Sequence, residues 1–150
     1  MPGSQTFFVL LVVLVGVVLP AQAGINAELR RNLGHPFLAG VVNFGGGLLI
    51  LLVASVAART GIPKWSAIAA APWWAYLGGA CGAALVLAGV VAAPRLGAAL
   101  LIASLVMGQL VASVVIDHYG FLGYGVRPIS FARIAGVLLL AGGVLLIQRG

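Results

Sequence analysis

Apolar residues dominate the chain in long runs, each broken by a short polar interruption, and the length of the runs decides what they are. A helix crossing a hydrocarbon core roughly 30 Å thick needs about 20 mostly apolar residues. Five segments meet that requirement: 5–26, 36–58, 66–93, 96–116 and 129–148. The second contains no charged residue, and the fifth contains only Arg133, near its start, where the side chain can snorkel to the interface. The third is longer than a crossing needs and is expected to begin as an interfacial stretch around Pro72, Trp73 and Trp74. The linkers are short: Ala27 to His35, Arg59 to Trp65, a tight turn at Pro94 and Arg95, and a glycine-rich stretch from Asp117 to Pro128. Connections of this kind make consecutive helices antiparallel neighbours. The expected fold is all-α, a polytopic transmembrane helical bundle of about five helices forming one transmembrane domain over 1–150.

The first run, Phe7 to Leu19 followed by Ala21, Gln22 and Ala23, imitates a signal peptide with a small-residue cleavage site. No Lys or Arg precedes it and the rest of the chain is itself polytopic, so it is read as an uncleaved first crossing.

Composition removes the soluble alternative. Of 150 residues 63% are hydrophobic and 7% charged, where a soluble domain averages about 25% charged. The surplus apolar surface must face lipid. The net charge of +6 comes from basic residues standing singly or in pairs between the runs, a distribution that suits anionic headgroups rather than nucleic acid, which needs basic residues clustered on one face. Cys81 is the only cysteine; it excludes an intramolecular disulfide and is read as a small buried hydrophobe.

With five crossings, Arg59, Lys64, Arg127 and Arg133 fall on one side, and Arg30, Arg31, Arg95 and Arg149 on the other, four against four. The positive-inside rule then assigns no orientation. The chain is expected to insert both ways or to take its orientation from a partner, and a pair of oppositely inserted copies would supply the inverted halves that many secondary transporters place around their site.

Polar groups inside hydrocarbon are costly, so the few present are the pointers to function. Gln22, Asn26 and Arg30 share one helical face if the first helix continues that far, and Gln109, Ser113 and Asp117 repeat the four-residue spacing on the fourth. Such stripes line a water-accessible path or simply hydrogen-bond neighbouring helices. Asn43, alone in the second helix, has the same two readings, path lining and structural glue. The following Gly45, Gly46 and Gly47 form a packing notch or a local break. Asp117, followed by His118, suggests coupling or gating, together with Arg30, or else a salt bridge to a linker arginine such as Arg127. Glu28, among Arg30 and Arg31, is read as a solvated balancing charge. Trp73, Trp74 and Tyr76 are placed either in an aromatic belt or facing a cavity that holds a flat or cationic solute. Ala75, Gly79 and Ala83, with Gly78 and Gly82 beside them, offer close helix approach. No spacing fits a metal site, a cofactor loop or a nucleophile elbow, so no enzyme, metal or cofactor is expected.

These residues together resemble a family. Gln22, Asn26, Leu29 and Arg30, then Leu33-Gly34-His35-Pro36 and Pro72-Trp73-Trp74 with Gly78-Gly79, are similar to the first half of the YdcZ-like proteins of the drug/metabolite transporter (DMT) superfamily. Pro94, Leu96-Gly97-Ala98, Gly108-Gln109-Leu110, Ser113, Asp117-His118-Tyr119-Gly120 and Pro128-Ile129-Ser130 with Arg133 and Gly136 extend the likeness over the second half. The resemblance implies a bacterial inner-membrane protein equal to half of a ten-helix transporter. It also implies a relation to the small multidrug resistance proteins, which work as antiparallel dimers and use a membrane-embedded Glu in the first helix. No acid lies between Gln5 and Asn26 here, so that coupling residue and its cation specificity are not carried over. The expectation is a transporter subunit exporting a small metabolite or toxic organic compound, as a homodimer or with an oppositely oriented paralogue. The competing reading is a non-transporting membrane subunit that stabilises or regulates a partner.

Overall fold

Every regular element in the computed structural model, which describes residues 2–150 and side chains from Gln5 onward, is helical. The five α-helices are α1 (Pro2–Leu33), α2 (Pro36–Ala57), α3 (Trp65–Ala70), α4 (Gly78–Tyr119) and α5 (Phe131–Arg149), with 3₁₀ turns at Trp73–Leu77 and Phe121–Gly123. They gather into two compact units, Ala21–Arg95 on one hand and the residues up to Pro20 with Leu96–Gly150 on the other.

Local chemistry sets the helix ends. Gly34 takes the left-handed conformation (φ 73°) that closes α1, its N–H donating to the Arg30 carbonyl at 2.9 Å. His35 is extended and accepts the Phe37 N–H at its Nδ1 at 3.3 Å, and Pro36 opens α2 with a φ already suited to a helix. Two residues therefore end one helix and start the next. α1 reaches Leu33, seven residues beyond the expected end at Asn26, because Ala27 to Asn32 contains no helix breaker before Gly34.

The third expected helix begins differently. Pro72 restricts Ala71 to an extended conformation (φ −70°, ψ 138°), so α3 stops and the chain resumes as a 3₁₀ turn at Trp73. Tyr76 donates its hydroxyl proton to the Ile68 carbonyl across this interruption.

The turn expected at Pro94 and Arg95 is absent, since both residues are helical. Proline fixes φ near the helical value and cannot by itself reverse a chain. The break lies at Gly97, with φ 71° and ψ 171°, a region open essentially to glycine alone. By length and apolarity the described residues hold four candidate membrane spans, Gln5–Leu33, Pro36–Ala57, Trp73–Tyr119 and Phe131–Arg149, and the third is 47 residues long with Gly97 inside it.

The apolar side chains of these spans are largely exposed, including Phe7 to Leu19 on α1 and Leu48 to Val53 on α2, while the buried apolar residues are Ala39, Val90, Leu101 and Val144. Exposure on this scale is costly in water, at about 25 cal/mol per Å², and costs little against lipid tails. In the unit Ala21–Arg95 the close packing is between α2 and the start of α4: a Cβ on Gly40 would stand 3.4 Å from the Leu87 Cδ2, and one on Gly82 3.7 Å from the Phe44 ring. Of the small residues named for close approach, Gly82 serves it, whereas a Cβ on Gly78 or Gly79 would meet no other element within 4 Å.

Candidate functional site

The continuation of α1 to Leu33 puts Gln22, Asn26 and Arg30 on one face of one helix. Asn43 of α2 lines the same groove as Gln22 and Asn26, an open depression of about 840 Å³ also walled by Phe44, Gly46 and Gly47. That volume lies in the range of small-molecule sites, roughly 300–1,000 Å³. α2 is unbroken across Gly45, Gly46 and Gly47, and no atom of another element comes within 4 Å of a Cβ built there. The glycines are thus neither a break nor a filled packing notch. Two of them leave room on the α2 side of the groove.

Asn26 is the one buried polar residue among the described residues, 4% exposed, while Gln22 and Asn43 are half-buried. No side-chain hydrogen bond is made by any of the three carboxamides. Among the described residues no buried side-chain nitrogen or oxygen is sealed off without a partner, so the Asn26 carboxamide keeps some exposure, at the groove it lines. Arg30, one turn beyond Asn26, donates from Nη1 to the Val90 carbonyl at 3.3 Å. Glu28 pairs with Arg31 on the exposed side. Trp73, Trp74 and Tyr76 are exposed in their 3₁₀ turn and do not line the groove.

In the other unit, Gln109 and Ser113 are exposed on α4, and the Ser113 hydroxyl donates to the Gln109 carbonyl of its own helix at 2.7 Å. Asp117 and His118 form a clasp between α4 and α5. The Arg133 guanidinium donates from Nη2 to Asp117 Oδ2 at 3.0 Å and from Nη1 to the Arg127 carbonyl at 3.2 Å. The Arg127 N–H donates to the Asp117 carbonyl at 2.7 Å, and His118 Nδ1 accepts the Ile129 N–H at 3.3 Å. Asp117 does carry a salt bridge, but to Arg133 rather than Arg127. The signal for it was available: Arg133 is in the first turn of α5, where the helix dipole disfavours a cation unless a carboxylate stands by.

An all-helical chain with several apolar candidate spans, exposed apolar side chains along them and a polar groove walled by two helices has the build of a multi-pass membrane protein. The family model described as "Putative inner membrane exporter, YdcZ" matches residues 7–146. The chain belongs to this family of inner-membrane exporters, which is a transporter family and not an enzyme family. No curated protein and no solved structure matches the chain.

Proposed function

We propose that the chain is one transmembrane domain of five crossings, a secondary exporter subunit for a small metabolite or toxic organic compound, working as a pair of oppositely inserted copies. The observation that carries the reading is the groove lined by Gln22, Asn26 and Asn43, three carboxamides in an otherwise apolar setting and without hydrogen-bond partners among the described residues. Unsatisfied polar groups in hydrocarbon are retained where they face a path for solute or water. Gly97 supports five crossings, because it divides the 47-residue span into two helical stretches of about 20 residues, each long enough to cross. An odd number of crossings makes the two faces of the chain carry four Lys or Arg each, which removes the bias that would orient it. Two opposite copies then furnish the inverted halves of an alternating-access machine, with Gln109 and Ser113 of α4 contributing further to the path. Asp117 and His118 act in gating through the α4–α5 clasp, because their polar groups already serve that clasp.

The test begins with reporters fused after Gly150, one active in the cytoplasm and one outside it. Comparable signals from both support two orientations, and signal from one alone excludes the pair of opposite identical copies. Asn26→Leu and Gln109→Ala should then abolish solute extrusion with assembly intact. Loss of assembly without flux under any condition supports instead the non-transporting subunit.

A further inference from the structure

The chemistry of the groove narrows what it can hold. Its lining comes from α1 and α2 and contains no ionisable side chain; the polar groups are the carboxamides of Gln22, Asn26 and Asn43, set among aliphatic residues and the Phe44 ring. A carboxamide offers two donors and an acceptor but no charge. A permanent cation entering such a site would lose its hydration without a counter-ion, which is prohibitive in a low-dielectric setting. The charge on the same face of α1, one turn beyond Asn26, is itself positive, Arg30, and its guanidinium is drawn to the Val90 carbonyl. Glu28, the acid nearest in sequence, is exposed and paired with Arg31. An uncharged solute meets no such penalty. Its donors and acceptors would satisfy the three carboxamides, above all the 96%-buried Asn26, while its apolar body lies against Phe44 and the glycines.

We infer that the groove between α1 and α2 binds an uncharged organic solute carrying hydrogen-bond donors and acceptors, and rejects permanent cations. This rests on the groove being part of the solute path and adds the class of solute. It also commits the groove to a small molecule rather than to a lipid chain, which offers the carboxamides no partner; a helix of a second copy in the groove is an outcome that the labelling detects.

The test uses three methanethiosulfonate reagents of similar size, one ending in a neutral hydroxyethyl group, one in trimethylammonium and one in sulfonate. They are applied to membrane vesicles holding the full chain with Cys81→Ala and a single new cysteine. Asn43→Cys reports the groove, Thr60→Cys an exposed linker, and Leu139→Cys, at a position 78% exposed on α5, the lipid-facing surface. At Asn43→Cys the hydroxyethyl reagent should outpace both charged reagents at least tenfold after normalisation to Thr60→Cys, and should react at least tenfold faster than at Leu139→Cys. Adding Asn26→Leu should slow it at least threefold; an unchanged rate overturns the hydrogen-bonding role. A charged reagent that keeps pace overturns the inference while leaving the groove as a path. If no reagent reacts faster than at Leu139→Cys, lipid or a partner helix fills the groove, and the path reading fails as well.

Discussion

The clasp between α4 and α5 makes the most quantitative demand on this structure. Asp117 and Arg133 are paired at 3.0 Å with their side chains 25% and 28% exposed. Exposed pairs contribute about 0–1 kcal/mol, and breaking a fully buried pair costs about 3–5 kcal/mol. A pair about three-quarters removed from solvent belongs between these limits, and we expect a coupling of about 1–2 kcal/mol in a double-mutant cycle of Asp117→Ala and Arg133→Ala. Arg133→Ala alone should cost more, about 2–3 kcal/mol, because the second guanidinium nitrogen is also lost from the Arg127 carbonyl. Arg133→Lys keeps the charge but cannot reach both acceptors as a fork does, and should cost about 1 kcal/mol. The assay is reversible unfolding of the full chain in detergent micelles, titrated with a denaturing detergent and followed by circular dichroism. A coupling below about 0.5 kcal/mol would refute the clasp. The same variants separate gating from coupling chemistry. Asp117→Asn and Arg133→Ala should impair flux in proportion to lost stability; a stable Asp117→Asn protein without flux would make Asp117 a coupling residue instead.

Other consequences follow from the backbone and the charge balance. Gly120, at φ 66°, would place a Cβ 2.8 Å from the Val126 Cγ2 and 3.1 Å from the Tyr124 carbonyl, so Gly120→Ala should lower stability in the same assay by about 2 kcal/mol. Gly97→Val imposes a cost of about 1–3 kcal/mol on the break inside the long span, and should redistribute the reporter signal after Gly150 or stop accumulation in the membrane. Arg59→Gly leaves the left-handed φ of 52° unstrained and reduces one side of the charge count, so it should tilt the reporter ratio one way, and Arg149→Gly the other. Equal ratios in both variants would show that loop charge does not set orientation.

The membrane class, the α2 and α5 helices to within two residues, and the one-face alignment of Gln22, Asn26 and Arg30 were legible along the chain. Apolar run length against bilayer thickness is a one-dimensional quantity, and helical spacing needs only a continuous helix. The junction in the long span was misplaced by three residues or fewer, because proline is the louder signal in a sequence while only the backbone dihedrals reveal which residue leaves the helix. The Ser113 hydroxyl donates to the Gln109 carbonyl of its own helix, a back-bond open to any helical serine that the four-residue spacing does not announce.

What the sequence determined by itself is therefore the solvent this protein lives in, its helical character and its family, since each is written in composition, run length and ordered motifs. Only the tertiary structure decided which polar residues meet. It set Asn43 of α2 around the same groove as Gln22 and Asn26 of α1, and it chose Arg133 over Arg127 for Asp117. Which side chains face each other depends on how one helix is rotated and placed against the next, and among nearly uniform apolar faces no local pattern specifies that; packing between small residues such as Gly40 and Gly82 and their neighbours does.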